Sequence, residues 1–391
     1  MISVGLIGFG RAGGRFLRAI IHRQREVGDV VLNAVCDSNL KRLKIFNDFG
    51  IKIYDNHIEM LKSSDFDIIV VATNEDSHYQ ILCDVKKYSV SFKRILVEKL
   101  LVEKLEQAEE IKKIFNEDEI SVHFVERHSP IIKKLLDWMK ENTLKLERAS
   151  FFWGKYRLHD HRPTVGVTSE ISHPIDLILL LSSMKEETQF KILNSSCLFS
   201  DYTYSGNKVL DTITANIKFE NGLVVNANSS FLWDDRERRL ILYLTDSSKK
   251  VKYIVTIIFD TPYWDLDTCI ISDVDAIEGR RKLLYKWEIK KEDINPDIFC
   301  ISKTSQFLSD NIDEICNRNA SDTLARLNQA CYVQRIVETL ELDAEKNAVS
   351  TEIFGAEKPN LERSSDCDEL LYKFLKDDMS EKDIIQWDKE F

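Results

Sequence analysis

Over the first 125 residues the apolar positions gather into short continuous blocks at 2–8, 30–36, 51–54, 67–72, 94–97 and 121–125. Between them, at 13–25, 39–48, 56–63, 76–88 and 103–117, the apolar residues recur at helical spacing. An unbroken apolar run of this length suits a strand buried on both faces. Such strands alternating with amphipathic helices predict a parallel, doubly wound α/β sheet. In such a sheet a ligand settles at the C-terminal strand ends, where the strand order reverses. The residues that close each block are therefore the ones to inspect: 8–13, Asp37, 73–78, Glu98, Lys99 and Arg127.

Beyond about residue 146 the pattern changes. β-patterned segments follow one another at 147–159, 189–200, 212–220, 223–233, 240–245, 251–259 and 281–289, with Asn221-Gly222 as a hairpin turn between two of them. With helices at 169–182 and 321–342, these segments predict an α+β domain on a large, mostly antiparallel, open-faced sheet. The expected division is a first domain over 1–125, a second over 126–345 and a C-terminal extension over 346–391. Helix 321–342 is expected to pack back on the first domain or on the sheet. The extension reads either as a solvated tail with short helices or as an arm that docks on a partner subunit, which Trp387 and Phe391 would suit.

The 391 residues carry a net charge of −11, with 43% hydrophobic and 30% charged residues, the balance of a globular chain with a sizeable core. The acidic sign argues against nucleic acid or an anionic membrane as the main partner. Much of it is local, since residues 351–391 hold twelve acidic against six basic side chains. No apolar run reaches the roughly 18–20 residues of a membrane span. The chain begins directly in a strand pattern, so a cytoplasmic location is expected. Eight cysteines are widely spaced without C-x-x-C and read as reduced, small hydrophobes, so neither a disulfide set nor a metal site is expected.

The first strand block runs into Gly8-Phe9-Gly10-Arg11-Ala12-Gly13, and an amphipathic stretch follows at once. Gly8 permits the tight turn, Gly10 lets backbone approach a pyrophosphate, and Gly13 lets the helix pack close to the sheet. The phosphates would then face backbone N–H groups at a helix N-terminus. Asp37 closes the second strand block, where a carboxylate takes the ribose hydroxyls of an adenosine and repels a 2′-phosphate. This Rossmann pattern therefore predicts NAD in preference to NADP.

Four later features line up with the first: Thr73-Asn74 with His78, Glu98-Lys99, Arg127-x-x-Pro130, and Gly166 with His173 and Asp176. With the glycine turn, and in this order, they make residues 1–345 resemble the Gfo/Idh/MocA family, the glucose–fructose oxidoreductase, inositol dehydrogenase and rhizopine-catabolism group. The resemblance implies a nicotinamide-dependent oxidoreductase of sugars or cyclitols. It places Gly8, Phe9, Gly10, Arg11, Ala12, Gly13, Asp37, Thr73, Asn74, His78, Glu98 and Arg127 against the cofactor, with Lys99 and His173 as catalytic residues. Lys99 would polarise the reacting oxygen and exchange its proton, Glu98 would orient Lys99 or hold the nicotinamide ribose, and His173 would relay the proton or bond the neighbouring hydroxyl. Two positions depart from the pattern. Leu100 stands where the family has proline, which is expected to loosen the turn after Lys99. Ser169 stands where an acid is expected, and the nearest carboxylate, Glu170, is about 100° further round the helix. Several of these residues also have plainer readings: His78 as a helix cap, Arg127 and Asp176 as ion-pair partners, and His173 as a helix-start residue packed on Pro174.

For the substrate, the candidates are Lys99, Arg157, Arg162, Glu170, His173, Asp176 and Trp233. The cationic run 155–162 stands out in an acidic chain, either as a clamp for a carboxylate, phosphate or diphosphate or as a solvated loop. Trp153 and Trp233 would stack on a sugar ring or pack in the core. The expected activity is transfer between NAD(H) and a secondary hydroxyl or ketone of a sugar or cyclitol derivative, by a homodimer or homotetramer joined through open sheet faces. The alternatives are NAD-assisted glycoside cleavage on the same frame, or a nucleotide-binding regulator that has lost catalysis.

Overall fold

The computed structural model describes residues 1–158, 166–184, 188–203, 208–248, 250–275 and 278–355, together with 373, 379–380 and 382–383. In chain order it begins with β1 (Ile2–Ile7), α1 (Arg11–Glu26), β2 (Val30–Cys36), β3 (Lys52–Tyr54), α2 (His57–Ser63), β4 (Ile68–Val71), α3 (Glu75–Tyr88), β5 (Arg94–Glu98), α4 (Leu105–Ile114) and β6 (Ile120–His123). There follow α5 (Pro130–Glu141), β7 (Lys145–Tyr156), α6 (Thr168–Leu181), β8 (Phe190–Ser200), β9 (Val209–Phe219), β10 (Val224–Ser230), β11 (Leu232–Thr245), β12 (Val251–Ile258), β13 (Thr268–Asp275) and β14 (Arg280–Glu288). The described elements end with α7 (Ser302–Ile315), β15 (Ala325–Arg326), α8 (Leu327–Ala344) and β16 (Ala348–Ser350).

The chain forms two compact units, and neither is a single stretch of sequence. The first comprises Met1–His128, Glu292–Cys331 and Glu362–Phe391; the second comprises Ser129–Lys291 and Tyr332–Leu361. The expected 126–345 domain is thus interrupted, because residues 292–331 belong with the first unit. The reason is apolar burial. Ile301, Phe307, Leu308, Ile312 and Leu324 lie in one core with Ile2, Leu6, Phe16, Leu17 and Val35, and α7 packs against α1.

In the first unit the strand order is β15-β6-β5-β4-β1-β2-β3, parallel throughout except for the antiparallel β15. All four residues of β4 are buried, as a strand covered on both faces requires. The stretch 39–48 is not the expected α-helix. It forms 3-10 turns at Leu40–Arg42 and Lys44–Phe49, stopped by Gly50 in the left-handed region.

The second unit is built on a nine-stranded sheet ordered β14-β13-β12-β11-β7-β10-β9-β8-β16. It is antiparallel except where β10 meets β7 and β16 meets β8. Helix α6 packs on β7 and β10. Strands β13 and β16 and helix α5 were not anticipated here, nor α7 in the first unit, although the start of α5 is written locally, with Ser129 capping the Ile131 N–H and Pro130 at the first helical position. Helix α8 begins in the first unit and continues in the second, where the Tyr332 hydroxyl donates to the Thr188 carbonyl at 2.5 Å. Past α8, residues 348–355 are fastened to the sheet. β16 pairs with β8, and the Asp201 carboxylate accepts from the N–H groups of Ile353, Phe354 and Gly355 at 2.6, 3.3 and 2.9 Å. These hydrogen bonds hold the Asp201 carboxyl below the usual range despite its partial desolvation.

Candidate cofactor and substrate sites

The glycine turn joins β1 to α1 and leaves no room for side chains at two of its three glycines. Gly8 has φ +92°, and a Cβ there would stand 2.6 Å from the Ala72 carbonyl oxygen. A Cβ on Gly13 would stand 2.1 Å from the Gly8 carbonyl oxygen. A Cβ on Gly10 would meet nothing within 4 Å, so open space adjoins the backbone where a pyrophosphate has to approach. The first turn of α1 carries no acidic side chain. Its helix N-terminus is therefore free to favour an anion, and the residues present fit a dinucleotide. Arg11 and Ala12 open the helix, while Phe9 is buried edge-on against Phe46 at 5.1 Å.

Asp37 stands at the end of β2 beside this turn. Its Oδ2 accepts from the Phe9 N–H at 2.7 Å and its Oδ1 from the Asn39 N–H at 2.9 Å. The carboxylate thus shapes the turn itself, and each oxygen keeps lone-pair capacity for a hydroxyl.

After β4 the Ser77 hydroxyl donates to Thr73 Oγ1 at 2.7 Å. Asn74 is the N-cap of α3, and its exposed side chain makes no capping bond. His78 is fully buried and serves as a tie between two turns: Nδ1 lies 2.8 Å from the Leu100 carbonyl oxygen and Nε2 lies 3.2 Å from that of Thr73. The residue that replaces the family's proline is therefore held through its own backbone, and its side chain is buried.

Glu98 ends β5 and Lys99 follows, half-buried. Glu98 Oε1 meets Nδ1 of His123, its register partner on β6, at 2.7 Å. Burial pushes the Glu98 carboxyl up, but His123, Lys99 and Arg15 outweigh it and hold the group below the usual carboxylate range. Arg127 lies deeper. It is 1% exposed and its guanidinium donates to Gln329 Oε1 at 3.2 Å, the place of an interior tie. Beside it, Glu126 and Lys303 form a fully buried ion pair at 2.8 Å.

In the second unit His173 and Glu170 lie on the first turns of α6. The His173 ring stacks near-parallel to Trp153 of β7, centroids 6.2 Å apart. Glu170 turns toward this ring in spite of its helical offset, with Oε1 3.9 Å from His173 Nε2. Its other oxygen is held by Lys155 at 2.8 Å and Arg238 at 3.4 Å. Arg238 in turn donates to Asp260 Oδ2 at 2.5 Å and lies over the rings of Trp153 and Trp264. Two cations and two carboxylates thus meet behind His173, and Arg238 and Asp260 gave no sign in the sequence because β11 and the loop after β12 are distant in the chain. Arg157 is buried with its guanidinium over the Phe231 ring at 4.5 Å, and Asp176 is fully buried on α6.

Trp233 does not join this group. Side chains alternate across a strand. Trp153 of β7 faces α6, while its neighbour Phe152 points to the opposite face and packs on Trp233 at 4.4 Å. Trp233 is 41% exposed on that outer face, apart from His173. Arg162 lies outside the described residues.

The amino-acid sequence of residues 2–125 matches the model of an oxidoreductase family with an NAD-binding Rossmann fold. That family is the Gfo/Idh/MocA oxidoreductases, and the match covers residues 2–125. No curated protein matches the chain in sequence. Among solved structures the chain is similar to UDP-N-acetylglucosamine 3-dehydrogenase GnnA from Acidithiobacillus ferrooxidans. Identity is 15%, TM-score 0.64, with 88% of this chain and 98% of that one covered. It is similar to levoglucosan dehydrogenase in complex with NADH and L-sorbose, at 15% identity, TM-score 0.69 and 89% and 97% coverage. It is also similar to the transcriptional regulator Gal80p from Kluyveromyces lactis, at 12% identity, TM-score 0.66 and 89% and 90% coverage. At these identities the likeness is one of fold. Among the described residues no helix is long and apolar enough to cross a membrane, no group of three or more His, Cys, Asp or Glu could hold a metal ion, and the seven cysteines form no disulfide.

Proposed function

We propose that the chain is an NAD(H)-dependent oxidoreductase acting on a secondary hydroxyl, or the matching ketone, of a sugar or cyclitol derivative. The observation that carries this reading is the placement of Glu98-Lys99 at the end of β5 in the unit whose glycine turn is cut to a pyrophosphate. When bound, the nicotinamide supplies the two-electron redox chemistry. Lys99 gives a proton to, or takes one from, the reacting oxygen at Nζ. Glu98 orients that ammonium and receives a ribose hydroxyl, and Asp37 receives those of the adenosine. His173, backed by Glu170, bonds a hydroxyl of the substrate. The sugar dehydrogenases among the similar folds support the substrate class. A cytoplasmic homodimer or homotetramer, joined through open sheet faces, completes the proposal.

Lys99→Ala is expected to lower kcat by about two orders of magnitude while the Kd for NADH changes little. The measurement is NADH absorbance over a panel of sugars, uronates and nucleotide sugars, with Kd from fluorescence titration. Unaltered turnover in the variant overturns the assignment.

The second reading is a nucleotide-binding regulator. Ser169 at the expected acid position and the likeness to Gal80p favour it. It predicts NADH binding with no turnover of any compound in the panel, and the same biological output from Lys99→Ala as from the wild type.

A further inference from the structure

Glu98 accepts one hydrogen bond among the described residues, and it comes from a histidine that the glycine turn and the Glu98-Lys99 pair do not call for. His123 ends β6, at the Cα register position beside Glu98 on β5, and its Nδ1 lies 2.7 Å from Glu98 Oε1. A carboxylate can only accept, so Nδ1 carries the hydrogen. The imidazole is 4% exposed and sits between two phenylalanines, 5.0 Å from the Phe16 ring and 4.7 Å from that of Phe307. Its Nε2 is buried with no hydrogen-bond partner among the described residues. Leaving such an atom buried and unpaired is unfavourable, a cost that phenylalanine in the same box would avoid. The polar ring is thus a net expense at this position unless its bond to Glu98 repays it. The wall behind the ring is shared with His128, which lies 5.1 Å from Phe307 and bonds Asp310 at 3.1 Å. Glu98 Oε2 has no hydrogen bond among the described residues, and the side chain is 16% exposed, so this second oxygen remains to accept from a ligand hydroxyl.

We propose that His123 is the positioning residue of Glu98: it pins one carboxylate oxygen to the apolar wall of the first unit and so presents the other, beside Lys99, to a hydroxyl of the bound nicotinamide nucleotide. The inference rests on the cofactor reading of the glycine turn. The charged groups facing Glu98 are His123, Lys99 and Arg15, all of which favour its ionised form against the cost of burial.

The test titrates the Glu98 carboxyl by 13C NMR in the full chain without nucleotide, assigned by loss of its signal in Glu98→Gln, and measures NADH affinity by fluorescence from pH 5 to 8. In His123→Phe the carboxyl midpoint is expected to rise by about one pH unit. NADH affinity at pH 7 is expected to fall about tenfold. His123→Asn, whose amide reaches the position of Nδ1, is expected to restore affinity to within about threefold of the wild type. An unmoved carboxyl titration in His123→Phe overturns the proposal, as does an equal loss of affinity in the Phe and Asn variants, which would mean that the ring only packs. If His123→Phe does not fold, the Asn variant decides alone: an affinity drop as large as that of Glu98→Gln overturns the pairing. A wild-type chain that takes up no NADH overturns the cofactor reading instead, and the carboxyl titration still judges the pair.

Discussion

At the scale of single residues, the three glycines of the turn separate by what surrounds them. Gly13 is closed by the Gly8 carbonyl oxygen at 2.1 Å from any Cβ, a clash with backbone that no side-chain rotation relieves. Gly13→Ala is therefore expected to abolish NADH binding or destabilise the first unit by several kcal/mol, read by fluorescence titration and thermal melting. Gly10→Ala has no such clash in the free chain, so it is expected to keep the wild-type melting temperature and lose affinity only where the pyrophosphate would lie. Asp37 carries two duties. Asp37→Ala is expected to raise the use of NADP relative to NAD, measured as the ratio of kcat/KM. It should also cost melting temperature, because the Phe9 and Asn39 N–H groups lose their acceptor. The motif pointed to Asp37 and the glycines directly, since their roles depend on backbone and nearest neighbours. His123 was hidden because its meaning lies in a register pairing across two strands. The orientation of Glu170 was hidden for a related reason: the helical offset is real, but Lys155 of β7 and Arg238 of β11 hold its carboxylate in place.

At the scale of elements, the two strand classes followed from period alone. Fully apolar blocks became parallel strands of the first sheet, and alternating ones became antiparallel strands of the second. Elements read wrongly had weak or competing local signals. The 39–48 stretch lacked the length of apolar spacing to sustain an α-helix, and its buried residues Leu43 and Phe46 are served by 3-10 turns. Helix α8 offers a test of charge. Burial pushes the Glu341 carboxyl up to about 7, with Glu345 and Glu338 adding to the shift. The folded chain then binds a proton that the unfolded chain releases near the ordinary glutamate value of 4.5. Stability therefore falls as pH rises between about 4.5 and 7, and the loss is complete above 7. Glu341→Gln is expected to remove this slope, so that its melting temperature exceeds that of the wild type at pH 8 and approaches it at pH 5. The fastening of 353–355 offers another. Asp201→Ala removes the acceptor of three backbone N–H groups and is expected to raise the rate of proteolytic cleavage after residue 350 several-fold, read by mass spectrometry of timed digests.

At the scale of the whole molecule, the two units are each assembled from separated stretches of chain, and this arrangement was not visible in the linear pattern. Residues 292–331 look like a continuation of the second domain when read in order, yet their apolar face completes the core around α1. A ligand that binds one folded unit stabilises it by mass action, about 2.7 kcal/mol at a hundredfold excess over Kd. NADH is accordingly expected to raise the melting temperature, and hydrogen exchange should slow first at the amides of 8–14 and 37–39.

The sequence alone determined what depends on neighbours along the chain. This includes the alternation of strand and helix, the sterically closed glycine turn, the acid after the second strand and the order of the family's motifs. These are set by steric limits and hydrophobic period, which act over a few residues. Only the tertiary structure decided which face of a strand a side chain takes after a register shift, and so moved Trp233 away from His173. It also brought Arg238 and Asp260 behind that histidine, joined α7 to the first core, and set His123 against Glu98. Those outcomes depend on burial and charge pairing between segments tens to hundreds of residues apart, where no local pattern carries the information.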